Sequence, residues 1–519
     1  MQDFINCEAS ICTIFNLDSS ILESCSCIRR NEQTIIDVKL LDSRPACPEC
    51  GNPITKIKGY VTKTIQHSLL ADKKCVLQYH ARRYICPICH KTFYEYNPFV
   101  FQNMKISSDL MLQILKDLQE PGETFTHAAK RYHISPTSVS SIFDSVVSIP
   151  RAKLPEIMCT DENYAFHSKT QNSKYICLLI DQTNGQPIDI LPSRRYEYLD
   201  KYFSNIPKYE IDQVHIMITD MYEPYRRIIK KHFKNAIHVV DHYHVSQELH
   251  RRVDRVRLRI MNPLRCINTS KRTQEQEENY YLLKHKNGLL FKHFTRSKGA
   301  DGKPLFDILR PKEYNKVLKR YMNPYDYANA LVSIHPDINT AWELKDELTD
   351  FYVSNTLETA PAALKKVITD FRESNVEEMV KFSYTLANWQ TEIINSFYIA
   401  KTEYKLSRKT GQITVGYKRL NNALMERLNG TVKLITKAAN GYTNWERFRN
   451  RCMLVLEKGI EFAIDEKDKS VKMVEKKGAH HLGQVMSPLD PLNEIGYMPP
   501  PSNLEDQIQL TPTIFGAPF

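Results

Sequence analysis

No apolar run in this 519-residue sequence reaches the ~18 residues that a membrane-crossing helix needs, so no membrane partner is expected. The opening MQDFINCEASICTIF is acidic where a secretory leader would be basic. No disulfide framework is visible: of 13 cysteines, four fall in two CPxC pairs and the others follow no pattern. These absences fit a reducing cytoplasm. No internal repeat is found. Acidic residues are scarce in two places. Residues 246–310 hold 15 Lys and Arg against 7 Asp and Glu, and residues 401–451 hold 12 against 3, while the first 45 residues are net negative. A single such stretch would equally be a solvated helix face; two of them point to a polyanion, and nucleic acid is the partner that charge implies.

What is present divides the chain. Its length predicts three or so domains, and 42% hydrophobic content is enough to build their cores. CPEC at Cys47 and Cys50 and CPIC at Cys86 and Cys89 are the strongest chemical signal. Two thiolates two residues apart grip one metal from a tight turn, and two such turns complete a tetrahedral structural Zn²⁺ site. His90, Cys75 and His80 are rival ligands within this stretch.

Apolar runs such as QTIIDVKLL predict short strands in the N-terminal segment 1–44, and residues 45–100 read as a β-rich zinc ribbon. Residues 104–150 turn helical. In TFTHAAKRYHISPTSVSSIFDSVV two short helices flank a turn, with Ser135 as cap and Pro136 in the first helical turn. This predicts a helix-turn-helix whose recognition helix covers 136–147 and places Ser138 on DNA. The alternative is a purely structural helical hairpin. IPRAKLP reads as a linker. Residues 156–245 alternate strands with helices, with a hairpin at Asn184-Gly185, and predict a mixed α/β layer. Residues 246–410 read as a large, almost wholly helical insertion, 411–465 as the last part of the α/β domain, and 466–519, rich in proline, as a weakly structured tail. The whole is multidomain α+β. Trp389 and Trp445 read as core, the latter with DNA contact as an alternative.

Three acids stand out. Asp161 lies in the strand MCTDENYAF, Asp220 ends the apolar strand VHIMITD, and Glu426 is the lone acid between Tyr404 and Trp445. Carboxylates converging at ~4 Å scale can hold two Mg²⁺ ions for in-line phosphoryl displacement. Each acid alone would read as a cap, a turn residue or a solvated helix position. Asp181 also ends an apolar strand, but QTNG after it predicts turn chemistry. His242 and His244 form an H-x-H pair that is better suited to contacting DNA or orienting a carboxylate than to binding metal.

The order CPEC, CPIC, helix-turn-helix, TDENYAF, VHIMITDMYEPY, HVVDHYHV and NNALMERLNGTVKLITKAANGYTNWERFRNR resembles bacterial insertion-sequence transposases of the ISL-three family, over residues 40–455. The resemblance implies an RNase H-like catalytic domain of the DDE type, interrupted by a helical insertion before the third acid. It implies Asp161, Asp220 and Glu426 as catalytic ligands of two Mg²⁺ or Mn²⁺ ions, with Asp241 and His244 near the site. It also implies Lys433, Asn429 and Arg427 near the transposon end. Family members often carry Gly where this chain has Arg427. Arg251, Arg252 and Arg255 are expected to hold phosphates. The expected function is metal-dependent DNA strand cleavage and strand transfer at terminal inverted repeats, by a homodimer or larger assembly at the bacterial nucleoid. The rivals are a non-catalytic DNA-binding regulator and a nuclease without strand transfer.

Overall fold

The computed structural model describes residues 8–30, 33–70, 73–102, 104–169, 172–267, 271–405, 413–420, 423–476 and 485–488. After helix α1 (Glu8–Ile14), the N-terminal sheet comprises β1 (Leu22–Arg30), β2 (Gln33–Leu40), β3 (Lys56–Leu70), β4 (Lys73–Ile85) and β5 (Thr92–Tyr94). Its order is β1-β2-β4-β3, with β5 on β4. β2 shows why it is a strand: Ile36, Val38 and Leu40 alternate inward and are buried. Arg82 lies inside this module and is tolerated there because Glu95 at 3.1 Å, Glu23 and the Leu40 carbonyl at 2.6 Å answer its charge.

Three helices come next: α2 (Ser108–Asp117), α3 (Phe125–Arg131) and α4 (Pro136–Val146). Ser107, Thr124 and Ser135 each cap a first turn through the side-chain oxygen. His133, at φ 53°, makes the turn between α3 and α4. These helices are not a separate body, although IPRAKLP reads as a linker. Leu110, Ile114, Val139 and Phe143 share one core with the second sheet. Arg451 is buried between them and donates to the carbonyls of Glu120 at 2.7 Å and Glu123 at 3.0 Å.

The second sheet contains β6 (Ile157–Ser168), β7 (Ser173–Asp181), β8 (Pro187–Leu191), β9 (Ile216–Thr219) and β10 (Ile237–Val240), in the order β10-β9-β6-β7-β8. β6 to β8 form an antiparallel meander, and β9 and β10 add in parallel on the other side of β6. α5 (Tyr196–Ser204), α6 (Lys208–Asp212) and α7 (Glu223–His232) connect them. Gly185, at φ +72°, sits in the turn between β7 and β8. Asp181 is spent in the same turn, accepting from Thr183 N at 2.8 Å and from its hydroxyl.

From β10 the chain enters α8 (His242–Cys266), then α9 (Gln274–His285), β11 (Glu313–Asn315), β12 (Arg320–Met322), α10 (Pro324–Val332), α11 (Pro336–Ser354), α12 (Ala360–Glu373), α13 (Glu377–Asn388) and α14 (Gln390–Asn395). The expectation of an almost wholly helical stretch is corrected by the β11–β12 hairpin and by β13 (Ile399–Lys405), which pairs with β14 (Ile413–Arg419). Short strands of this kind lack the apolar period that betrays long ones. α15 (Ala423–Ala438) and α16 (Trp445–Leu456) then return to the second sheet. The supposed tail is partly ordered: β15 (Ile460–Ile464) pairs with β16 (Val471–Glu475), and β17 (Val485–Pro488) pairs with β13. Residues 489–519, with most of the prolines, lie outside the described residues.

A buried polar latch joins the insertion to the sheet. Arg226 on α7 donates to Glu392 on α14 at 2.8 and 3.1 Å and to the Asn388 carbonyl at 2.7 Å, and stacks on Trp389 at 3.6 Å. His238 on β10 lies 3.7 Å from Glu392. Burial alone would raise the Glu392 carboxyl, but His238 and Arg226 outweigh it and hold it at about 2. A depressed carboxyl stabilises fully above its unfolded value near 4.5, and this is lost as pH falls toward 2. Glu392→Gln is therefore expected to cost about 3 kcal/mol at neutral pH and to flatten the acid limb of stability between pH 4.5 and 2. Denaturant melts across that window check it; an unchanged acid limb would refute it.

Candidate active site and metal centre

The four CPxC thiols meet. Cys47 Sγ is 3.5 Å from Cys89 Sγ and Cys50 Sγ is 3.6 Å from Cys86 Sγ, with all four within 4.8 Å of one another. The two turns are built alike: Gly51 N donates to the Cys47 carbonyl at 2.9 Å and His90 N to the Cys86 carbonyl at 3.1 Å, with φ 71° and 59°. The backbone N–H groups of Cys89 and Ile88 draw the Cys86 thiol down to about 6, which suits a thiolate ligand. Such a donor set fits one Zn²⁺. His90 is thus a turn residue, Cys75 is buried in the sheet core, and His80 is held by Asp37 at 2.8 Å.

The second centre lies where β6 and β9 run side by side. Their parallel register pairs Cys159 with Ile218 and so sets Asp161 level with Asp220, just past the end of β9. β6 alternates, so Asp161 and Asn163 face α15 while Glu162 faces the other side. α15 is an amphipathic helix whose Met425, Leu428 and Val432 are buried against that face. It carries Glu426 on its exposed side and Asn429 inward. Asn429 Nδ2 donates to Asp161 Oδ2 at 2.9 Å, and Asn163 Nδ2 donates to the Asn429 carbonyl at 2.9 Å.

The electrostatics is that of crowded acids. Burial, and then Asp241, push Asp161 up to about 6, against the pull of Lys433 and Asn429. Burial, Glu162 and Asp161 push Asp220 well above the usual range. Glu426 is raised by partial burial of its carboxyl and by Asp241. Asp241 goes the other way: burial would raise it, but His242, His244 and the Tyr243 N–H outweigh burial. It caps α8, and His244 Nε2 stands 3.9 Å from Asp161 Oδ1.

The candidate residues fall in different settings. The three acids do not close to ~4 Å; among the described residues the cysteines are the one group of three or more whose ligand atoms lie within 4.8 Å. Asn429, expected on DNA, is buried and its amide is spent on Asp161. Arg251 and Arg252 bond to Glu248 at 3.3 and 2.8 Å, because α8 is the spine of the insertion and satisfies its own charges; Arg255 is exposed. Ser138 bonds to the cap Ser135 at 2.8 Å. Lys433 and Arg427 are exposed. Trp389 is buried, and Trp445 packs on Phe166 and Phe448 at 5.1 and 5.8 Å.

Glu162 and Arg194 are the residues that sequence reading passes over. Glu162 pairs with Arg194 and abuts Asp220. Glu162 Oε2 and Asp220 Oδ1 are buried with no donor from any other residue, and without a cation the two carboxyls must share a proton. Orphaned carboxylate oxygens beside like charge fit a hard divalent cation. The only signal in the sequence was the second acid of the DE pair.

A four-cysteine ribbon, a five-stranded sheet with one acid within its central strand and another at the end of the neighbouring strand, and a helix returning a third acid form a transposase-like architecture. The comparisons agree. A family profile described as "Transposase" matches residues 158–404, and one described as "zinc-finger of transposase IS204/IS1001/IS1096/IS1165" matches residues 43–89. The chain is similar to the transposase for insertion sequence element IS1001 of Bordetella parapertussis, 20% identical over 408 residues, covering 78% of this chain and 86% of that protein. The two profiles and this relative support an ISL-three-family transposase, with the four cysteines inside the matched zinc-finger segment. Among the described residues, no helix is long and apolar enough to cross a membrane.

Proposed function

We propose that this protein binds the terminal inverted repeats of an insertion sequence and catalyses cleavage and strand transfer of its ends. The observation that supports this is that Asp161 and Asp220 stand level on neighbouring parallel strands and feel each other's charge, with Glu426 on the helix that Asn429 fastens to Asp161. The sheet order, a meander flanked by two parallel strands, supports the RNase H-like reading. Asp161, Asp220 and Glu426 would hold Mg²⁺ or Mn²⁺, which supplies activation of the attacking oxygen and charge relief at the leaving oxygen. The chain's own residues do the rest. Asn429 orients Asp161, Asp241 holds His242 and His244 at the site, and exposed Lys433 offers a cation beside Asp161 to a DNA phosphate. Water attacks the phosphodiester at the element end, releasing a 3′ hydroxyl, which then attacks target DNA. The zinc ribbon and the helices α2 to α4, as a helix-turn-helix, serve end recognition, and two ends call for a dimer or larger assembly.

The test is a purified-protein assay with Mg²⁺ or Mn²⁺, labelled duplexes carrying the element ends, and a target plasmid. Cleavage followed by joining supports the proposal. Cleavage without joining identifies a nuclease, and binding without cleavage a regulator. Asn429→Ala is expected to slow cleavage about 10- to 100-fold, since a hydrogen bond to a charged group contributes roughly 1.5–3 kcal/mol. Excess Mn²⁺ should restore part of it. An unchanged rate would remove Asn429 from the site.

A further inference from the structure

On the side of the second sheet away from α15, next to the acids, stands a group that the proposed chemistry leaves unused. The Arg194 guanidinium, ion-paired with Glu162, lies between two tyrosine rings, 4.3 Å from the Tyr175 centroid and 4.4 Å from that of Tyr222. Tyr175 meets Tyr164 edge-on, with centroids 5.6 Å apart and planes at 77°. The two are register partners on β6 and β7, so the backbone fixes the pair. Yet Tyr164 is 65% exposed and Tyr175 38%. Tyr164 is two residues from Glu162, and contacts run unbroken from Asp220 through Glu162 and Arg194 to both rings. His167 near the end of β6, Lys169 just past it and Lys174 near the start of β7 are exposed, and no acid lies between them in the sequence.

We propose that Tyr164 and Tyr175 form a stacking platform for one unpaired nucleobase of the DNA strand held at the acids, with Arg194 fixing the Tyr175 ring and Lys169 and Lys174 meeting the neighbouring phosphates. Asp161 on the central strand β6 is only 7% exposed, and Asp220 beside it is half-buried. A strand inside an intact duplex meets a recessed centre poorly, whereas a strand with one base turned out can enter. Turning a base out is costly unless a π-face receives it. Basic side chains beside exposed rings are the composition such a strand needs. The inference rests on the transposase reading and deepens it.

The test compares duplex ends that are fully paired with ends carrying one mismatch beside the scissile phosphate. Wild type, Tyr164→Ala, Tyr175→Ala, Tyr164→Phe and Tyr175→Phe are each assayed for cleavage, and separately for binding by anisotropy. The alanine variants should lose about 10- to 100-fold in cleavage of paired ends and far less on mismatched ends. The phenylalanine variants should behave as wild type. In binding, wild type should prefer the mismatched end and the alanine variants should lose that preference. Equal losses on both ends would assign the tyrosines to folding and overturn the platform, as would no loss on either. If wild type cleaves neither end, the transposase reading fails, and the binding preference alone decides the platform.

Discussion

Asp161→Asn, Asp220→Asn and Glu426→Gln are each expected to abolish strand cleavage while leaving binding of the element ends within a few-fold of wild type. Each substitution keeps shape and removes a negative oxygen from a cluster in which Asp161 and Asp220 are already recessed and raised by burial and by neighbouring acids. Metal-assisted charge stabilisation is worth several kcal/mol, which at ~1.4 kcal/mol per tenfold means losses of about 10³-fold or more. Stability should move the other way. A carboxyl held above its unfolded value weakens the fold as pH rises from that value to the folded one. The metal-free protein should therefore lose stability between pH 4 and 6 through Asp161, and Asp161→Asn should remove that slope. Gel-resolved cleavage and a metal-free melt across pH measure both. Wild-type cleavage by all three variants would sink the assignment.

Cys86→Ser is expected to unfold the N-terminal module while the second sheet stays folded. Structural zinc contributes an apparent ~10–16 kcal/mol, against a total stability of about 5–15 kcal/mol for a domain. The site stands at the base of the β3–β4 hairpin, where Cys86 directly succeeds β4, so its loss frees the ends of the longest strands in that sheet. Metal content by emission spectroscopy should fall from one zinc per chain to none, and limited proteolysis should cut within residues 43–89 first. Full zinc retention by the variant, or an unchanged digestion pattern, would contradict this. Chelation of wild type should reproduce the effect.

The parts legible in the sequence are those whose physics is local. CPxC turns, the helix cap at Ser135, the Asn184-Gly185 turn and the apolar strand before Asp220 all announce themselves within a few residues. What escaped depends on partners far along the chain. Nothing near Asn429 says that its amide will face Asp161 rather than DNA, because that depends on which face of α15 meets β6. Glu248 stands three and four positions before Arg251 and Arg252 on α8 and is legible as their partner, whereas Asp337 and Glu378 meet Arg259 only once helices pack. Arg226 and Glu392 are 166 positions apart, and Glu162 matters only because Asp220 ends the neighbouring strand. The strands β13 to β17 are short and lightly patterned, so pairing, not propensity, makes them.

The hydrogen bond from Asn429 to Asp161 spans 268 positions. On a ribosome adding about 5–20 residues per second, that separation is roughly 15–50 s. From the synthesis of Asp220 to that of Glu426, 206 positions, the emerging protein has the first two acids and the four zinc-ribbon cysteines but not the third acid. A chain stopped in that stretch also lacks α16, which shares its core with α2 to α4.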